Sequence, residues 1–149
     1  MDAKIVTCNS VGAYGHALTR GGKYKIVDQD HAKIRIKGDH GRLLWINKGH
    51  FDPGERQQLI MQSWGFDDKV DTNNFIEITI SFNDGSKRWC NLTTPEKLTE
   101  YFKNSVIDPP GMSSRHLIIM KTLKYEEVEK TLKYLDSQGE LEDATLPLI

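Results

Sequence analysis

Ile76-Glu77-Ile78-Thr79-Ile80-Ser81-Phe82 is a strict apolar/polar alternation, and it constrains the fold more than any other segment of the chain. Successive strand side chains point to opposite faces, so Ile76, Ile78, Ile80 and Phe82 share one side and Glu77, Thr79 and Ser81 the other. This predicts a strand with one buried face and one polar face, typical of an antiparallel sheet. Asn83-Asp84-Gly85-Ser86 supplies a hairpin turn, and Lys87 to Leu92 returns as the partner strand.

The remainder of this half alternates helix and strand signals. Thr94-Pro95-Glu96 is a helix start: the threonine caps, the proline tolerates the first turn, and the glutamate meets the positive end of the helix dipole. That helix is expected to reach about Asn104 with Leu98, Tyr101 and Phe102 inward. Ile107-Asp108-Pro109-Pro110-Gly111 breaks it, and His116 to Met120 reads as an apolar strand in the middle of a sheet. A second helix is expected from Tyr125 to Ser137, with Val128, Leu132 and Leu135 on one face and Gly139 ending it. Residues 75–149 thus predict a β-β-α-β-α open-sheet module with helices packed on one face.

Residues 1–54 follow a different pattern. Short strand signals at Lys4 to Cys8, Tyr24 to Val27, Ala32 to Ile36 and Leu43 to Ile46 are separated by glycine-rich turns. Such spacing predicts a small β-barrel, whose closure removes free strand edges. Residues 55–74 read as a joint: a turn or two of helix over Glu55 to Met61, then a polar linker. The expected class is therefore α+β, a small barrel over 1–54 followed by the open-sheet module.

Leu18-Thr19, Gly21-Gly22-Lys23-Tyr24 and Ile26, a charged hairpin with Gly38-Asp39 and Gly41, and Trp45-Ile46 ahead of Phe51 together resemble the SH3-like small barrels of bacterial and phage proteins. The resemblance covers Lys4 to Pro53 and implies a fold that is reused for many partners. Trp89-Cys90 before Thr94-Pro95 and Leu98, then His116-Leu117-Ile118-Ile119 and Tyr125-Glu126 with Val128-Glu129, resemble an immunity-protein family of bacterial polymorphic toxin systems. This likeness covers Phe75 to Leu141 and implies a protein partner, such as a basic toxin or nuclease. The short hairpin, the acidic tail and a barrel in front of the module depart from that pattern.

Charge is divided along the chain. Residues 1–54 hold 9 Lys and Arg against 5 Asp, giving +4, and residues 55–149 hold 11 basic against 16 acidic residues, giving −5. Two partner classes follow. Glu126, Glu127, Glu129, Asp136, Glu140 and Glu142 would form an acidic face for a cationic protein. On the barrel, Tyr14, Lys33, Arg35, Arg42 and Trp45 would offer phosphate partners and a stacking surface for nucleic acid. A solvated helix face and a solvated strand face account for many of the same residues.

Signals for catalysis are missing. No paired-Cys or His-x-x-x-His spacing marks a metal site, and Asp28, Asp30 and His31 form a polar hairpin tip. No nucleophile elbow occurs, and the glycine pairs at Gly12/Gly15 and Gly21/Gly22 precede no helix that could hold a phosphate. Cys8 and Cys90 sit in apolar, strand-like surroundings as free thiols. The expectation is a non-enzymatic protein with no cofactor and no metal. With no run of about 18 apolar residues and no export signal at MDAKIVTCNS, a cytoplasmic location is expected and no membrane partner.

Overall fold

Glycine turns in the first third of the chain do separate short antiparallel strands. The computed structural model describes residues 4–104 and 110–148. It shows a mixed α+β protein, mostly sheet with two helices among the described residues. The chain divides into two compact units, Met1–Ile60 with Leu135–Gly139, and Met61–Tyr134 with Glu140–Ile149.

In the first unit, β1 (Ile5–Cys8) lies between β2 (Lys23–Lys25) and β6 (Phe51–Pro53), while β4 (Lys33–Lys37) lies between β3 (Asp28–Gln29) and β5 (Leu43–Asn47). These are two separate three-stranded sheets, and no closed barrel forms among the described residues. Between β2 and β3 the chain passes from one sheet to the other in two residues: Ile26 N–H bonds the Lys4 carbonyl at 2.9 Å and Val27 N–H the Arg35 carbonyl at 2.8 Å. A 3-10 turn, Lys48–His50, makes the return crossing, capped by the Asn47 side chain accepting from Gly49 N–H at 2.8 Å. The core between them contains Val6, Cys8, Leu18, Ile34, Ile36 and Ile46.

Residues 9–22 form a long loop held by polar contacts. Arg20 donates to the carbonyls of Asn9 and Leu59 and pairs with Asp136 at 3.6 Å. Val11 N–H bonds the Ser137 carbonyl at 3.0 Å, and Gly12 and the Gln138 amide exchange two hydrogen bonds. Gly139 sits here at φ +70°, where an added Cβ would lie 2.7 Å from the Asn9 carbonyl oxygen. Only glycine combines that conformation with that approach.

The second unit is a five-stranded sheet in which β8 (Ile76–Phe82) is flanked by β7 (Met61–Phe66) and β9 (Lys87–Thr93). Strand β7 falls inside the stretch read as a joint; residues 55–60 form no helix, and 67–74 carry no strand or helix. Its residues pair with β8 from Met61↔Phe82 to Phe66↔Ile78, with a bulge after Met61, and so complete the ladder that β8 would otherwise leave open. The β8–β9 hairpin has the expected turn, closed by Phe82 N–H to the Ser86 carbonyl at 2.9 Å with Gly85 at φ +85°.

Helix α1 (Pro95–Asn104) begins as expected, with Thr94 Oγ1 accepting from Lys97 N–H at 3.2 Å. None of its residues is fully buried, and Phe102 is exposed rather than inward. Strand β10 (Leu117–Ile119) runs parallel to β9 but at the sheet's edge, not its middle, and Ile119 is 58% exposed. Helix α2 (Tyr125–Ser137) matches its expected span, with Val128 and Leu132 buried and Leu135 half-buried. The tail then adds β11 (Leu146–Pro147), antiparallel to β9 at Trp89 and Arg88. The expected break at Ile107-Asp108-Pro109 lies outside the described residues.

Ile78, on β8, is fully buried. Replacing it with alanine should lower stability by about 2–5 kcal/mol without changing the fold; urea unfolding followed by circular dichroism measures this.

Candidate functional site

The outer face of β3, β4 and β5 gathers the cationic candidates. Register sets Arg35 opposite Trp45, Lys33 opposite Asn47 and Lys37 opposite Leu43, while Ile34, Ile36 and Ile46 turn to the core. Trp45 is 40% exposed. Arg42 lies exposed in the adjoining turn. Asp28 is the cross-strand partner of Arg35 on the other side and moderates the charge. Tyr14 packs against the first unit's core and meets the His50 ring edge-on at 5.7 Å.

Acidic candidates are distributed less simply. Glu126 and Glu127 are exposed in the first turn of α2, where the helix dipole favours carboxylates. Glu140 and Glu142 are exposed beyond the helix. Glu129 is half-buried and pairs with Lys133 at 3.9 Å. Asp136, with a side chain only 15% exposed, faces Arg20 and is spent within the first unit. Of the six, Glu126 and Glu127 at the start of α2 and Glu140 and Glu142 beyond its end are the exposed ones.

A feature the sequence reading missed lies beside Glu126. Trp64, from β7, stacks on Tyr125 with ring centroids 4.7 Å apart and an interplanar angle of 19°, and Phe66 meets Trp64 edge-on at 5.0 Å. Tyr125 is 49% exposed, and the Trp64 indole N–H is buried without a hydrogen-bond partner. The signal was the Trp64/Phe66 pair at strand spacing, obscured by the polar run that follows it.

Both thiols, His50 and the Asp30 carboxylate have partners or burial within the first and second units. Cys8 and Cys90 are buried free thiols. Burial pushes Cys8 up to about 11, outweighing a backbone hydrogen bond at Ser10 that acts in the opposite direction, and pushes Cys90 up to about 12. His50 Nδ1 lies 3.0 Å from the Ser10 carbonyl and 3.2 Å from Ser10 Oγ. Both contacts hold the His50 ring against the loop that carries Ser10. At the Asp28–His31 tip, Asp30 accepts from the Ala32 and Lys33 amides at 2.8 and 2.7 Å, which hold its carboxyl below the usual range. No group of three or more metal-ligating side chains converges among the described residues, and no helix there is long and apolar enough to cross a membrane.

Tyr24 is likewise kept protonated, pushed up to about 12 first by burial, with its hydroxyl donating to Asp39 at 2.9 Å. All three groups are neutral in the folded state and ionise more easily when unfolded. Stability is accordingly full below pH 9 and falls as pH rises through the interval from 9 towards 11 and 12. Chemical denaturation at pH 7 and pH 10.5 should show the loss, and at pH 8 a thiol reagent should label Cys8 and Cys90 only at the rate of unfolding.

No protein-family model, no curated protein and no solved structure matches this chain.

Proposed function

We propose that this chain is a non-catalytic binding protein of the inhibitor or immunity kind, which occupies a cationic protein partner through its second unit. The observation that carries this reading is the exposed Tyr125, stacked on Trp64 and followed directly by Glu126 and Glu127. Aromatic side chains on a rigid base are the usual anchors of protein interfaces, and carboxylates at the rim steer an oppositely charged partner. Ile119, Tyr134 and Phe102, each at least 45% exposed, add apolar surface to the same unit.

The first unit is read as an SH3-like small barrel left open along one side. Two three-stranded sheets, a chain segment that changes sheet between β2 and β3, and a 3-10 turn leading into β6 support that reading. Buried free thiols suit a reducing, cytoplasmic setting.

A second reading, nucleic-acid association, is favoured by one observation: Trp45 opposite Arg35, with Lys33 and Lys37 along the same strand. Stacking and phosphate contacts would both be available there.

Co-expression with basic toxins encoded beside its gene tests the first reading. The expected result is a stable complex, weakened about tenfold or more by Tyr125→Ala, with slower association for the Glu126→Lys/Glu127→Lys pair. Failure of every such partner, or indifference to all these changes, refutes it. For the second, binding to oligo-dT should decline steeply with salt and drop with Trp45→Ala; no binding at low salt excludes it.

A further inference from the structure

We infer that the first unit holds a small amphipathic carboxylate, an apolar body with one anionic head, in the cleft between its two sheets. This goes beyond the binding function proposed above and involves other residues. The cleft has a volume of about 480 Å³, within the range of small-molecule sites and too small for a folded partner's surface. Ile34 and Phe51, at 2% and 8% exposure, form its base, and Ile5, Ile26 and Pro53 line it further.

Its charged lining has one sign. Lys4 and Lys48 border the cleft, both exposed, and no carboxylate lines it. Neither lysine has an ion pair among the described residues. Asp30 is close enough to Lys48 to feel its charge, and its carboxylate already accepts two amides of its own turn. An apolar ligand entering here would bury hydrocarbon against Ile26, Ile34 and Phe51 and leave its head beside two ammonium groups. A carboxylate answers that pairing; an alcohol or an amine does not.

The cleft exists because β1 and β6 belong to one sheet and β3 and β4 to the other, with no pairing across the gap. Closure would have filled this space with side chains, as in small barrels generally.

The test is an amide NMR titration of the whole chain with decanoate, decanol and decylamine, each below its aggregation concentration. Saturable one-to-one binding of decanoate is expected, with shifts concentrated at Ile5, Val6, Ile26, Ile34 and Phe51. The Lys4→Gln/Lys48→Gln pair should weaken decanoate about 5- to 10-fold and leave decanol unchanged. Ile26→Trp should abolish binding by filling the space; should it fail to fold, the surface lysine variants still decide. Equal affinity for all three ligands, shifts elsewhere, or no saturation would overturn the inference.

Discussion

The second unit depends on the burial of one face of β8. Ile76, Ile78, Ile80 and Phe82 are each at most 1% exposed, and removing a side chain of this size from water contributes about 1.5–3 kcal/mol. A slip of one residue would bring Glu77, Thr79 and Ser81 into the same space, so the register of β7 and β9 on either side is strongly specified. That register puts Trp64 opposite Ile80. From there its ring supports Tyr125, so the position of this aromatic stack is set by the pairing of a core strand.

In the first unit the corresponding constraint is polar. Fourteen residues, 9–22, have no regular strand or helix among them, and a loop of that length needs partners for its backbone. Arg20, itself in the loop, supplies one at the Asn9 carbonyl and ties the loop to the Leu59 carbonyl and the Asp136 carboxylate. Tyr24, Thr19 and Asp39 close the loop's far end, with the Thr19 hydroxyl donating to Asp39 at 2.7 Å and its amide to the Tyr24 oxygen at 2.8 Å. Asp136 illustrates the consequence for function: a carboxylate used to orient Arg20 is no longer available to an outside cation.

Several reactive groups among the described residues are engaged within the fold. The thiols are held neutral by burial, His50 lies against the Ser10 carbonyl and hydroxyl, and the Asp30 carboxylate serves its own turn. Among the described residues, the exposed Tyr125 beside carboxylates lies on one unit, and Trp45 among cations and an apolar cleft lie on the other.

Local pattern alone determined much of this protein. Alternation in β8, the Asn83–Ser86 turn, the Thr94 cap of α1 and the Val128/Leu132 spacing of α2 are each encoded within a few residues, because strand and helix periods and cap chemistry act at that range. The cationic face was legible for the same reason, since side-chain alternation separates Lys33, Arg35 and Lys37 from Ile34 and Ile36. Only the tertiary structure decided that 61–66 is a strand, because a short segment with two aromatics at strand spacing becomes one when β8 offers an open edge. It likewise decided that β10 is peripheral, that Asp136 turns inward and Phe102 outward, and that the two small sheets part to leave a cleft. These outcomes depend on partners distant in sequence, and no local pattern carries that information.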